Sequence, residues 1–224
     1  KDFSDAVYGI EEDGRYVTES RLKKMLSHEV SLIEKRLSRD KHPNKMFFSY
    51  ANTVATIDFA KQFKGHGWVG ISFQIEPDEA YNEIILHIRF KETDSRLQQE
   101  TLGILGVNLI YGAYYKYNDP KKLLRYLYDH LDKDQLEIDT INFSGPRFAD
   151  VDNRLMSLQL VKNGMTDAVM FNPEGKNILP AAILYKKNLL AFRGSFRPVT
   201  KVNMDMYEKS LKMFLEENKV EKDN

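Results

Sequence analysis

Between residues 18 and 38 the apolar side chains Leu22, Met25, Leu26, Val30, Ile33 and Leu37 recur every three or four positions, with lysine, arginine and glutamate between them. That spacing predicts a one-faced helix, with Leu22, Met25, Leu26, Ile33 and Leu37 buried against a sheet and Lys23, Lys24 and Lys35 in water. His42-Pro43 ends it, and the pattern changes. Met46 to Thr56, Trp68 to Ile75 and Glu83 to Phe90 are β-rich runs bounded by Gly65-His66-Gly67 and Glu76-Pro77-Asp78, as in antiparallel neighbours. Arg96 to Tyr115 returns to helical spacing but carries Gly103, Gly106 and Gly112, each costing up to about 1 kcal/mol against alanine. Close packing against the sheet would offset that cost.

Asp119-Pro120 is a side-chain cap followed by proline at the first turn, and Leu123, Leu124, Leu127 and Leu131 supply the buried face of the helix it starts. Gln135 to Phe143 reads as a strand, Ser144-Gly145-Pro146 as a turn and Asp152 to Asn163 as a helix closed by Gly164. Asp167 to Asn172 reads as the next strand, Pro180 to Tyr185 as a short apolar helix and Leu189 to Arg193 as a further strand. Asn203 to Val220 is a last helix, with Met204, Tyr207, Leu211, Phe214 and Leu215 on one stripe. Strands alternating with helices imply crossovers and parallel pairing. The expected fold is therefore α/β: one mixed sheet of about five to six strands flanked by helices, antiparallel in its first half and parallel in its second. A single α/β domain over residues 1–224 fits the length. The opening Lys1-Asp2-Phe3, without a methionine, leads us to expect a fragment of a longer chain.

Composition narrows the chemistry. Thirty-three basic and thirty-three acidic side chains give zero formal charge, so there is no net basic field for a phosphate backbone, and nucleic acid is not expected as a partner. The absence of cysteine removes disulfides, thiolate nucleophiles and sulfur-ligated zinc, and makes a cytoplasmic setting the default. The longest uncharged run, Thr101 to Tyr115, includes Asn108 and is too short to cross about 30 Å of hydrocarbon, so no membrane is expected as a partner. The five histidines show no short metal-ligand spacing, and no metal site is indicated.

Four places carry candidate chemistry. His66, between two glycines, is either an exposed ligand or acid, or part of a turn between strands. His87, within Ile-Leu-His-Ile-Arg-Phe, reads as a neutral, hydrogen-bonded sheet residue. Asp152 and Arg154, beside Asp150 and Asn153, open a helix after a strand and a turn, where α/β sheets bind ligands. Asp152 reads first as a helix cap.

The fourth place is Gly194-Ser195-Phe196-Arg197-Pro198-Val199-Thr200-Lys201-Val202-Asn203. It resembles the nucleotidyltransferase signature of nicotinate- and nicotinamide-nucleotide adenylyltransferases, in which Gly-Ser-Phe-x-Pro-Val leads to a His/Thr-x-Gly-His motif. Gly194, Ser195, Phe196, Pro198 and Val199 match, and Thr200 takes the first His/Thr place. Val202 and Asn203 stand where the motif has glycine and the second histidine. Over a longer span the chain is similar to the first half of a bacterial family labelled nicotinate-nucleotide adenylyltransferase and sometimes TonB-dependent receptor. The phrases Tyr50-Ala51-Asn52-Thr53-Val54-Ala55-Thr56, His66-Gly67-Trp68, Asp152-Asn153-Arg154-Leu155-Met156 and Tyr185-Lys186-Lys187 carry that likeness. Helices alternating with short strands do not describe the membrane barrel of the second label.

What the resemblance implies is a domain of a nucleotidyltransferase-like protein serving NAD biosynthesis. It would bind a nucleotide or phosphate ester, with Mg2+ accompanying ATP and the missing C-terminal half of the same chain as partner. Thr200 and Asn203 would take the catalytic places. Gly194 and Ser195 would bring backbone N–H groups to phosphate oxygens, and Arg197, Arg193 and Lys187 would clamp the anion. The alternative is a non-catalytic ligand-binding or scaffold half of a larger cytoplasmic protein, in which the same phrase is only a turn into a helix.

Overall fold

Thr18 opens α1 (Glu19–Arg36): its hydroxyl accepts the Arg21 amide at 3.2 Å and takes up one of the free N–H groups of the first turn. Asp94, Asp119 and Asp152 do the same for α2 (Ser95–Tyr115), α3 (Pro120–Tyr126) and α4 (Asn153–Lys162). Each of these helices begins where the sequence offers a short oxygen acceptor. The computed structural model describes residues 7–8, 17–37, 41–60, 64–184 and 187–218. The chain divides into two compact units, Lys1–Asn177 and Ile178–Asn224.

The first unit holds a four-stranded sheet in the order β1 (Phe48–Ala55), β2 (His66–Phe73), β3 (Asn82–Phe90), β4 (Leu136–Ser144), and every neighbouring pair is antiparallel. The parallel pairing expected of the second half is not found among the described residues, and the connection from β3 to β4 explains why. The Asn108 amide donates to the Leu127 carbonyl at 3.1 Å and the Tyr111 and Tyr126 rings lie 4.9 Å apart, so α3 runs back along α2. One crossover helix returns the chain to start a parallel strand; a second, reversing helix delivers β4 antiparallel.

The expected single sheet of five or six strands is likewise two sheets. β5 (Met170–Phe171) and β6 (Asn177–Ile178) pair separately, and the run expected over Asp167 to Asn172 is reduced to two strand residues. The second unit contributes α5 (Pro180–Leu184) and α6 (Lys201–Asn218). Leu189 to Arg193, expected as a strand, is not one; its leucines are exposed, and its unit offers no neighbouring ladder among the described residues to take its backbone groups. Tyr185, at the end of the expected short helix, and residues 219–220 of the last helix lie outside the described residues.

Alternation along the strands separates two faces. Val69, Ile71 and Phe73 of β2 and Ile84, Leu86 and Ile88 of β3 point into one core, which α2, α3 and α4 cover with Leu105, Leu109, Leu123, Leu124 and Leu160. Two helix glycines fit there: a Cβ on Gly106 would come 2.7 Å from the Tyr50 hydroxyl, and one on Gly112 would come 3.2 Å from Leu123. Gly103 has nothing within 4 Å, so packing offsets the glycine cost at two of the three positions.

α1 lies on the other face, over Gly70, where a Cβ would meet Leu22 at 3.0 Å and Leu26 at 3.1 Å. Leu22, Leu26 and Val30 are buried and Lys23, Lys24 and Lys35 are exposed, but Met25 is half-buried and Ile33 and Leu37 are exposed. The buried stripe therefore ends earlier than its periodicity predicts. Among the described residues no helix is long and apolar enough to cross a membrane.

Candidate functional site

The sheet face beyond α1 is polar. His66 and Trp68 on β2 lie opposite Arg89 and His87 on β3, and His87 in turn lies opposite Thr140 on β4. A register shift between His87 and Ile88 leaves Asp139 as an extra residue on β4, since Ile88 pairs with Ile138. The inward residues of β4 switch there from Leu136 and Ile138 to Ile141 and Phe143. The bulge thus puts two consecutive polar residues, Asp139 and Thr140, on the same face.

Five strand residues close into a chain of contacts. Asp139 Oδ1 is 2.7 Å from His87 Nδ1, and His87 Nε2 is 3.3 Å from His66 Nδ1. Arg89 donates from Nε to Asp139 Oδ2 at 3.0 Å and from its second arm to Glu137 Oε1 at 2.9 Å. Glu137 also accepts the Thr166 hydroxyl at 2.6 Å. His87 and Asp139 side chains are 2% and 3% exposed, His66 is half-buried, and the Trp68 ring stands edge-on to His87 at 4.9 Å.

These contacts fit one arrangement of protons. A carboxylate oxygen beside a guanidinium accepts, so in the neutral form of His87 the hydrogen sits on Nδ1 and the lone pair on Nε2. That lone pair requires a hydrogen on His66 Nδ1, which leaves the free lone pair of the whole chain on His66 Nε2. Burial lowers the His66 pKa from its ordinary value; His87 and Arg89 push the same way and Asp139 opposes them. His66 is therefore a neutral base near neutral pH, oriented by a second imidazole and a carboxylate.

The flanking glycines serve close approach here. A Cβ on Gly67 would lie 2.6 Å from the Thr53 carbonyl oxygen, and one on Gly65 would lie 3.0 Å from that of Ala55. Gly67 has to be glycine for β2 to lie this close to β1.

Of the residues singled out from sequence, the structure brings His66 and His87 together. Asp152 and Arg154 form a pair of their own: Asp152 caps α4, and its two oxygens accept from Arg154 at 3.1 and 2.8 Å, which pulls the carboxyl pKa down to about 2. They line a cleft of about 360 Å3 with Glu19, Asn142, Lys176 and Asn177.

In the second unit Lys187, Arg193, Gly194, Ser195 and Arg197 are all exposed, and no carboxylate pairs with the three cations among the described residues. Thr200 and Asn203 engage each other. Asn203 Oδ1 accepts the Thr200 amide at 2.8 Å and its hydroxyl at 2.7 Å, and the Asn203 amide donates back to Thr200 Oγ1 at 3.3 Å. This is a reciprocal cap on α6.

Sequence reasoning passed over Trp68, Arg89, Glu137, Asp139 and Thr166. The available signal was alternation: His87 and Arg89, and Glu137 and Asp139, are each two apart on a strand and of complementary charge. No group of three or more histidine, aspartate or glutamate side chains is placed to hold a metal ion among the described residues. Comparison with protein-family models, curated proteins and solved structures finds no match for this chain.

Proposed function

We propose that the first unit is an acid–base catalyst, in which the His66 imidazole takes a proton from a bound substrate while Asp139 and His87 act as the positioning pair behind it. One observation carries this reading: the unbroken contact chain of 2.7 Å from Asp139 to His87 and 3.3 Å from His87 to His66. Burying a carboxylate and an imidazole on a sheet face, with a second imidazole half-buried beside them, costs desolvation that apolar residues would avoid. A base held in one tautomer with a lowered pKa is what that cost provides. The matching reaction class is proton removal from water, a hydroxyl or a carbon acid near neutral pH.

Hydrolysis of p-nitrophenyl acetate tests the base without knowledge of the natural substrate. The rate is expected to rise with pH through an apparent pKa below the ordinary imidazole value of 6.5. His66→Gln should remove this component, a loss of roughly 10²-fold or more if the imidazole acts as a positioned base. An unchanged rate in His66→Gln rejects the proposal.

A second reading is favoured by the exposed cations of the second unit: binding of a nucleotide or phosphate ester, as the resemblance to nicotinate-nucleotide adenylyltransferases implies. Lys187, Arg193 and Arg197 would clamp the anion around Gly194 and Ser195, and Thr200 and Asn203 would have to exchange their mutual bonds for substrate. Mg2+ would accompany ATP, a cytoplasmic setting would go with this activity, and the C-terminal half would complete the fold. Arg197→Ala is then expected to weaken ATP binding by about tenfold to a hundredfold, because charge-assisted bonds contribute about 1.5–3 kcal/mol. Equal affinities by calorimetric titration reject this second reading.

A further inference from the structure

A second polar cleft in the first unit, of about 410 Å3, lies where α2 meets α3 and is lined by Lys116, Lys122, Arg125, Tyr126, Tyr128 and Asp129. An aromatic ladder stands beside it. Tyr111 and Tyr115 stack with ring centres 4.5 Å apart and planes 27° apart, and Tyr126 stands 4.9 Å from Tyr111 on its own helix. Tyr115 is 70% exposed, so the stack ends in water. The Lys116 ammonium lies 6.0 Å from the Tyr111 ring centre and 5.8 Å from that of Tyr126, at the outer reach of a cation–π contact.

Two carboxylates stand close by. Burial and the Asp129 carboxylate hold the Tyr126 hydroxyl pKa above its ordinary value. Asp119 caps α3 and lies 3.5 Å from the Lys122 ammonium. Lys116 and Arg125 have no carboxylate partner among the described residues. A chain with zero formal charge therefore concentrates three cations beside a row of tyrosine rings.

We infer that this cleft binds an aryl phosphate: the ring of the ligand extends the Tyr111–Tyr115 stack on the open side of Tyr115, and the phosphate lies among Lys116, Lys122 and Arg125. Three cations suit a dianion better than a single carboxylate charge, and Arg125 can meet two phosphate oxygens at once. The tyrosine row offers the offset or edge contacts that a planar ring prefers. The inference stands apart from the histidine chain, which lies on the opposite face of the sheet.

Titration calorimetry of the 224-residue chain with phenyl phosphate, inorganic phosphate and benzyl alcohol tests it. Phenyl phosphate is expected to bind at least about tenfold more tightly than either of the others, because only it makes both contacts. Arg125→Gln and Lys122→Gln, both at exposed positions, should each weaken phenyl phosphate by about tenfold. Tyr115→Ala should bring its affinity down to that of inorganic phosphate, and melting temperatures should hold in all three variants. No binding of phenyl phosphate, affinity equal to that of inorganic phosphate, or full affinity in Arg125→Gln overturns the inference.

Discussion

Trp68 stands edge-on to His87 across the β2–β3 pair, the two ring centres 4.9 Å apart and the planes at 62°. It is the chain's one tryptophan, so its fluorescence reports directly on the imidazole chain. A protonated imidazole quenches a neighbouring indole, and the His66 pKa lies below 6.5. Proton uptake by His66, passed through its contact with His87, should therefore lower the emission over a pH range below that of an ordinary imidazole. His66→Gln should flatten that fall, and an unaltered titration in the variant would show that the proton goes elsewhere.

The same lowered pKa sets the pH dependence of stability. Well above pH 6.5 neither folded nor unfolded His66 holds the extra proton, so the group contributes no slope there. Below it the unfolded chain binds a proton that the folded chain resists, so stability falls as pH falls. Urea denaturation at pH 7.5 and pH 5.5 should give a lower midpoint at pH 5.5, and His66→Gln should narrow the difference.

Asp139 joins His87 to Arg89 from a position only 3% exposed at the side chain. Asp139→Ala leaves a buried imidazole donor and half of a guanidinium without their acceptor. Breaking a buried pair from one side costs about 3–5 kcal/mol. Glu137→Ala should cost less, since Arg89 is 48% exposed and keeps Asp139. Equal losses in the two variants would mean that the chain through His87 adds nothing.

The capped helices and the four main strands follow from local chemistry, because a cap, a period and a turn residue each act within a few positions. The histidine chain does not. His66 and His87 are 21 residues apart and His87 and Asp139 are 52 apart, and their meeting depends on the register of three strands and on one bulge. No local pattern encodes that bulge. The antiparallel entry of β4 was hidden for a related reason: a helix followed by a strand reads as a crossover whether one helix or two precede it, and the reversal of α3 along α2 rests on contacts such as Asn108 to Leu127. Leu189 to Arg193 failed in the opposite direction. It has the apolar content of a strand but no ladder beside it, and β-propensity acts only through neighbours.

The glycines give a contrast within one protein. Gly103→Ala adds a methyl group to open space on an exposed helix face, so helix propensity alone should stabilise the chain by about 0.5–1 kcal/mol. Gly67→Ala puts a Cβ 2.6 Å from both the Thr53 carbonyl oxygen and the Val54 Cα, which are backbone atoms of the paired strand. That strand would have to move, and a destabilisation of at least about 1–3 kcal/mol is expected. Chemical denaturation of the two variants checks both signs; a stable Gly67→Ala would mean that β1 and β2 are less closely held than their pairing implies.

Thr200 separates a cap from a phosphate ligand. Its hydroxyl and amide both lie within 2.8 Å of Asn203 Oδ1, and helix caps of this type contribute about 0.5–2 kcal/mol. Thr200→Ala should therefore lower the helical signal that α6 contributes and its thermal stability, and Thr200→Ser, which keeps the hydroxyl, should restore both. If Thr200 also binds a substrate phosphate, ATP affinity will fall in Thr200→Ala by more than in Asn203→Ala, because only the hydroxyl can reach an oxygen while the amide merely holds it. If it is a cap alone, the two variants will lose stability together and ATP will bind them alike. Circular dichroism melts with calorimetric titration on the same samples distinguish these cases, and loss of ATP binding without loss of helix would show that the hydroxyl serves the ligand rather than the fold.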